Sequence, residues 1–285
     1  RGAPLRAALV QGAVPQSMKW AADQRAHTMQ LYADMMVPHL GADVIVWPES
    51  AIPALEANVR PYLGQMSALA NENGSSLLMG LLRRDAATGS YYNSVAGWAL
   101  DQPVQWYDKR RLVPFGEFFP VPQAVREWLR LMNLPYSDFQ PGRADPAPLR
   151  AAGETFAPTV CYEDAYGSEQ LGLVRQSSLL VNVTNDAWFG DSTAPHQHLD
   201  ISRMRALESG RAMLRATNDG VTALIGHDRA LLGTLPQFQP GVLTGEVQPR
   251  TGLTPYARSG NWPILAVLGL GVAVIVVSYR RGIRR

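Results

Sequence analysis

Short apolar runs and longer amphipathic stretches alternate along most of the chain. Leu5–Gln11 (LRAALVQ) reads as a strand, and Ala21–Leu40 as an amphipathic helix that stops near Gly41. Val44–Trp47 (VIVW) is short and wholly apolar, the pattern of a strand buried on both faces, and Pro48 ends it. A helix is predicted over Leu55–Asn73, closed by the Asn73-Gly74 pair. Ser76–Leu82 and Tyr92–Ala99 read as strands joined by a polar turn containing Thr88-Gly89-Ser90, and Gln105–Asp108 continues the meander. Thr155–Cys161 and Leu179–Thr184 are predicted strands with a helix at Ser168–Gln176 between them. His196–Arg211 reads as helix, with short strands expected around Ala212–Thr217, Thr222–Ile225 and Leu231–Leu235. This order gives an α/β class in which helices cover sheets of mixed pairing, and periodicity alone leaves three layers or four open.

The last segment departs from that pattern. From Trp262 to Tyr279 the chain reads WPILAVLGLGVAVIVVSY, without a charge. About 18 such residues rise roughly 27 Å as a helix, enough for a thin hydrocarbon core. Trp262 and Tyr279 bracket it as interfacial aromatics do, and RRGIRR follows. A buried core helix is the alternative, and a helix that ends in Arg280, Arg281, Arg284 and Arg285 fits it badly. A membrane span is therefore expected, with the arginine tail in the cytoplasm and the body on the other side, the periplasm in a bacterium.

Charge sharpens this picture. The 285 residues carry 26 basic and 24 acidic side chains, a net +2, and setting aside the four tail arginines leaves the body at −2. A nucleic-acid surface, which needs clustered positive charge, is not expected. The single cysteine excludes an internal disulfide and by itself fits a small buried hydrophobe. The sequence opens at Arg1 without a methionine, as a processed or excerpted chain does.

Three polar residues stand at predicted strand ends, where α/β proteins usually place function: Glu49 after VIVWP, Lys109 after Asp108, and Cys161 after TFAPTV. Singly they fit a helix cap, a solvated loop cation and a packing residue. Together they are a complete set for acyl transfer without a metal. A thiol is nucleophilic as thiolate, a nearby cation favours that form, and a carboxylate can take and return the proton. An ammonium can also hold the oxyanion of a tetrahedral intermediate. His196 and His198 lack an accompanying ligand set, so a helix N-terminal region suits them better than a metal site, and no cofactor is expected.

With these residues, the segments VIVWPESAIP (Val44–Pro53), YYNSV (Tyr91–Val95), YDKRRLVPFGEFFP (Tyr107–Pro120), VCYEDAYG (Val160–Gly167), NVTNDAWFG (Asn182–Gly190) and RALESGR…LRATNDG (Arg205–Gly220) resemble the nitrilase superfamily of carbon–nitrogen hydrolases. Within it they are similar to the apolipoprotein N-acyltransferases, to which PFGEFFP, NDAWFG and a final membrane helix are particular. The resemblance implies an α-β-β-α sandwich over residues 1–255 and a transmembrane helix with a basic tail over 256–285. It implies Glu49 as general base, Lys109 as oxyanion-stabilising cation and Cys161 as nucleophile. Glu117 matches a further active-site glutamate, and Tyr162 and Glu163 match residues required at the site, although a surface carboxylate also fits Glu163. Asn93 matches a polar position near the site, and a turn or ladder role fits it equally.

The implied reaction moves an acyl chain from a phospholipid of the phosphatidylethanolamine type, through a Cys161 thioester, to the N-terminal amine of a diacylglyceryl-cysteine lipoprotein at the bacterial inner membrane. Phe115, Phe118 and Phe119 crowd the loop after Lys109, and Val121–Leu134 carries Val125, Trp128, Leu129 and Met132 at helical spacing. A lid touching the bilayer is expected there, the same spacing also fitting a core-facing helix. Trp188 and Phe189 are expected to line an acyl groove. The family carries further membrane helices ahead of this domain, which an excerpt or a partner would account for. A tethered amidase would use the same three residues with water as acceptor. Such enzymes usually carry a histidine shortly after the lysine, whereas Arg110 and Arg111 stand here. A decayed, non-catalytic binding module would not need Glu49, Lys109 and Cys161 intact.

Overall fold

Successive residues of a strand face opposite ways, and in the first strands of this chain both directions are apolar. The computed structural model describes residues 3–19, 22–100, 102–118 and 139–283. In it β1 (Leu5–Gln11) sends Leu5, Ala7 and Leu9 into one core and Ala8 and Val10 into another. β2 (Val44–Trp47) divides Val44 and Val46 from Ile45 and Trp47 in the same way, which is why VIVW is uniformly apolar. β3 (Ser76–Arg84) likewise separates Leu78 from Leu77 and Met79.

These strands form the centre of one six-stranded sheet, completed by β4 (Tyr91–Trp98), β5 (Gln105–Asp108) and β12 (Gly241–Val247) in the order β12-β1-β2-β3-β4-β5. A second sheet contains β6 (Leu149–Ala151), β7 (Glu154–Val160), β8 (Leu179–Thr184), β9 (Met213–Thr217), β10 (Ala223–Ile225) and β11 (Leu231–Thr234), in reverse chain order. Each sheet has three parallel strands at its centre, β1-β2-β3 and β7-β8-β9, flanked by antiparallel ones. The sheets lie face to face, with β1 and β2 over β9, β3 over β8 and β4 over β7.

Helices cover both outer faces. The short α1 (Gln16–Lys19) leads into α2 (Arg25–Met36), and α2 and α3 (Glu56–Glu72) bury Tyr32, Met36, Val59, Leu63 and Ala70 against Ala8, Ile45 and Trp47. α4 (Gly167–Val174) and α5 (Ala194–Ser209) bury Leu173, Val174, Leu199 and Ala206 on the second sheet. The stack is therefore four layers, α-β-β-α, which periodicity had left open.

Several boundaries differ from the sequence reading. The first long helix becomes regular only at Arg25 and tightens into a 3-10 turn at Val37–His39, where Pro38 has no N–H to continue the ladder. β6 is three residues long, and β12 contains two glycines and alternates in exposure, so neither carries a strong apolar signal. Phe119 and the segment Val121–Leu134 lie outside the described residues.

After the short α6 (Pro255–Ser259), α7 (Trp262–Ile283) leaves the body. Its side chains from Trp262 to Arg281 are all exposed, and mean hydropathy over that stretch is 2.2. It is long and apolar enough to cross a membrane.

Phe156 of β7 is fully buried between Leu149 of β6 and Leu179 of β8. Phe156→Ala is expected to destabilise the body by about 3–5 kcal/mol through lost burial and the cavity left behind. Chemical denaturation checks this, and an unchanged midpoint would contradict the burial described.

Candidate active site

Three strand ends deliver the candidate residues. β2 runs out at Pro48 and presents Glu49, and the next turn is pinned to β3 by the Ala51 N–H donating to the Gly80 carbonyl at 3.0 Å. A Cβ at position 80 would stand 2.5 Å from Glu49 Cα, so this approach requires glycine. β5 presents Lys109, whose N–H donates to the Asn93 carbonyl at 2.8 Å and whose carbonyl accepts from Gly142 N–H at 2.8 Å. A Cβ at position 142 would stand 2.1 Å from the Asp108 carbonyl oxygen. β7 ends at Val160, one residue earlier than periodicity suggested, and Cys161 opens a 3-10 turn with φ +55°. That left-handed conformation costs a non-glycine residue about 1 kcal/mol or more.

Lys109 is buried. Its ammonium donates to Glu117 Oε1 at 2.9 Å and lies 3.8 Å from Glu49 Oε1. Asn93, on β4, donates from Nδ2 to Glu49 Oε1 at 2.7 Å and to Glu117 Oε1 at 2.8 Å. Its backbone is in the sheet ladder while its side chain bridges the two carboxylates, so both sequence alternatives met at one residue. The other Glu117 oxygen accepts from Val113 N–H at 2.8 Å, which folds the loop around the carboxylate.

These neighbours set the proton affinities. Burial raises Glu49 above the ordinary carboxylate range, Lys109 acts against the rise, and Glu117 adds to it. Burial alone would lower Lys109, but the opposing carboxylates of Glu49 and Glu117 hold it above its usual value. The Cys161 thiol is pushed up to about 12, by burial and then by Glu49, with Lys109 acting against them. At rest the nucleophile candidate is therefore a thiol, and the nearby carboxylate has an enhanced appetite for its proton.

Tyr162 and Glu163 tie the cysteine turn to the lysine loop. Tyr162 donates its hydroxyl to the Leu112 carbonyl at 2.8 Å, and its ring lies 5.6 Å from the Lys109 ammonium. Glu163 is fully buried, not a surface carboxylate. It accepts from the N–H groups of Val160 at 2.8 Å, Arg110 at 2.7 Å and Arg111 at 3.1 Å, and from the Tyr107 hydroxyl at 3.0 Å. Around this centre the aromatic residues face outward. Phe115 is 68% exposed and Trp188, in the 3-10 turn Asp186–Phe189 that follows β8, is 74% exposed; Phe189 is exposed and Phe118 half-buried.

Sequence reasoning missed a second buried cluster behind Cys161. His198, read as part of a helix N-terminal region, sits inside α5 with Nδ1 2.9 Å from Asp186 Oδ1 and Nε2 3.2 Å from Asp164 Oδ1. Arg215 of β9 is 2.9 Å from Asp186 Oδ2. Asp186 and Arg215 fall within segments that carry the family resemblance, but nothing in the residue pattern showed that they meet. Among the described residues, no group of His, Cys, Asp and Glu is arranged to hold a metal ion.

The arrangement can move a proton from Cys161 toward Glu49 and hold negative charge beside Lys109. A family model described as carbon-nitrogen hydrolase matches residues 6–256. The chain is 42% identical over 281 residues to the apolipoprotein N-acyltransferase of Methylococcus capsulatus, covering 98% of this chain and 55% of that protein. It is 44% identical over 280 residues to the apolipoprotein N-acyltransferase of Azotobacter vinelandii, covering 96% and 54%. It thus spans about half the length of these curated relatives. Its fold matches a double mutant of the amidase from Nesterenkonia sp. AN1 in complex with acrylamide, with a TM-score of 0.66 at 20% identity, covering 94% of this chain and 98% of that one.

Two outcomes follow from this geometry. Because the thiol pKa is raised to about 12, the fraction present as thiolate keeps growing well beyond pH 9. The rate of Cys161 alkylation by iodoacetamide is expected to climb through pH 10, where a model thiol has levelled off, and a plateau at or below pH 9 would refute the raised value. Gly80→Ala is expected to displace Glu49 and slow acylation of Cys161 by about tenfold or more with the fold retained. Acylation kinetics beside a thermal melt separate that effect from misfolding.

Proposed function

The chain belongs to the carbon–nitrogen hydrolase family, and from that premise we propose that it is the acyl-transferring part of an apolipoprotein N-acyltransferase. The observation that carries the chemistry is the buried Lys109 ammonium, held by Glu49 and Glu117 beside a cysteine in a strained backbone conformation. The identity of 42–44% to apolipoprotein N-acyltransferases over nearly the whole chain supports the substrate class.

In the first half-reaction Cys161 Sγ attacks the ester carbonyl of a phospholipid of the phosphatidylethanolamine type. Glu49 takes the thiol proton as the S–C bond forms, and Lys109 stabilises the oxyanion. Collapse breaks the C–O bond, and Glu49 returns the proton to the departing lysophospholipid oxygen. In the second half, the uncharged N-terminal amine of a diacylglyceryl-cysteine lipoprotein attacks the thioester. Glu49 takes the amine proton and passes it to the departing thiolate. Glu117 and Asn93 orient Lys109 and Glu49, and Glu163 and Tyr162 hold the cysteine turn. Phe115, Phe118 and Trp188 contact acyl chains.

Residues 1–255 form the catalytic domain, and 256–285 form a membrane span with a basic tail. The exposure and apolarity of α7, with Arg280 and Arg281 in its last turn, support a cytoplasmic tail and a catalytic body at the periplasmic face of the inner membrane.

Incubation in detergent with phosphatidylethanolamine, followed by intact mass, tests the reading. A fatty-acyl adduct is expected that hydroxylamine removes and Cys161→Ser prevents. Turnover of small amides without any adduct would sink the lipid assignment in favour of a tethered amidase.

A further inference from the structure

The chemistry above makes no use of the charges buried behind Cys161. Asp164, Asp186 and Arg215 are each essentially inaccessible to solvent. Arg215 lies 2.9 Å from Asp186 and 3.7 Å from Asp164, so one guanidinium faces two carboxylates. His198 stands between the same pair, with Nδ1 on Asp186 Oδ1 and Nε2 on Asp164 Oδ1. Each ring nitrogen thus faces a carboxylate oxygen, an arrangement that favours a proton on both and makes the ring an imidazolium. The four groups then sum to zero charge, the condition under which a buried cluster is tolerable. Ser202 completes it by donating to Asp164 and accepting from Arg215 at 2.9 Å.

The cluster reaches the backbone of the candidate nucleophile at its carbonyl, and Asp186 also helps to keep the thiol protonated. The Cys161 carbonyl oxygen lies 3.3 Å from His198 Nε2 and accepts from Asn182 Nδ2 at 3.0 Å, while Asn182 is itself held by Arg215 at 2.8 Å. A left-handed non-glycine residue persists only where its surroundings over-determine it. We propose that His198, kept as an imidazolium by Asp164 and Asp186, is a positioning residue that fixes the strained Cys161 backbone by sharing its Nε2–H between Asp164 and that carbonyl. The inference rests on the reading of Cys161 as nucleophile. Burial and Arg215 lower the affinity of His198 for its second proton, but Asp164 and Asp186 outweigh them and raise its pKa to about 9. The groups facing the ring are Asp164 from the turn after β7, Asp186 after β8, Arg215 on β9 and Ser202 on its own helix. A raised value means that the clamp is intact at neutral pH and is lost as pH rises through about 9.

The test uses p-nitrophenyl butyrate as acyl donor. Sγ forms a bond to the ester carbon, the C–O bond breaks, p-nitrophenolate departs with the electron pair, and the thiol proton passes to Glu49. Burst kinetics give the acylation rate, and intact mass places the butyryl group on Cys161. His198→Gln keeps an N–H donor four bonds from Cα, as Nε2 is, whereas His198→Asn places it three bonds away, toward Asp186. Both remove the same charge. The expected result is acylation within about threefold of the unsubstituted chain for His198→Gln and about tenfold slower for His198→Asn, with similar melting temperatures and unchanged apparent donor affinity. His198→Gln should also lose the decline in rate near pH 9. Gln and Asn variants slowed alike, beside a normal burst in the unsubstituted chain, would overturn the clamp alone. No burst in the unsubstituted chain would remove the nucleophile reading and the clamp with it. Should both variants fail to fold, Asn182→Ser removes the other donor and leaves the carbonyl to His198. A rate within about threefold there supports the clamp, and a tenfold or greater loss with the fold retained overturns it by assigning that carbonyl to Asn182.

Discussion

The Lys109 ammonium is the interaction on which the candidate site depends. It is buried, it donates to Glu117 and it lies close to Glu49, so it draws together the end of β2, the end of β5 and the loop that follows. It offsets the burial that raises Glu49, and removing one partner of such a buried cluster usually costs about 3–5 kcal/mol. The same charge bears on Cys161, where it opposes the burial and the Glu49 field that keep the thiol protonated. Structure and chemistry are thus coupled: the cation that lets the loops meet is the cation that the proposed oxyanion would need.

The backbone around this ion is shaped to serve it. Gly80 lets Pro48 and Glu49 press against β3, and Gly142 lets its own segment press against Asp108 and Lys109. Glu163 collects backbone N–H groups from both the cysteine turn and the lysine loop and so ties the two together. Behind them the Asp164–His198–Asp186–Arg215 cluster balances its charges internally and meets the site at the Cys161 carbonyl, with Asp186 also helping to keep the thiol protonated. Two sets of buried charges therefore flank the strained residue, one beside its thiol and one mainly behind its backbone.

Outside the centre, several large apolar side chains are exposed. Phe115 and Trp188 are mostly exposed, on loops that extend from the strand ends carrying Lys109 and from the end of β8. α7 exposes an uninterrupted apolar face on every side. On the proposed reading, exposed apolar side chains of this kind would spare an acyl chain about 0.8 kcal/mol per methylene otherwise left in water.

Much of this was legible in the sequence, and the reasons are physical. Buried parallel strands demand apolar residues on both faces, so VIVW and LLVNVT announced β2 and β8 with their boundaries, and helix periodicity announced α3 and α5 within two residues. An apolar stretch ended by arginines identified α7, since composition alone sets that property. Glu49, Lys109 and Cys161 stood out because chemistry-bearing residues at strand ends are visible along the chain. What the sequence could not supply was anything that depends on residues meeting across elements. The short β6, the late return of β12 to pair with β1, and the sharing of one ammonium by Glu49 and Glu117 are of this kind, whereas the four-layer stack, which periodicity left open, was already implied by the family resemblance. So is His198, whose partners lie 12 and 34 residues away. A lone histidine in a helix has no sequence mark for the carboxylates that fix its charge. Local pattern records which faces must be buried, and only the tertiary structure decides which buried polar groups answer one another.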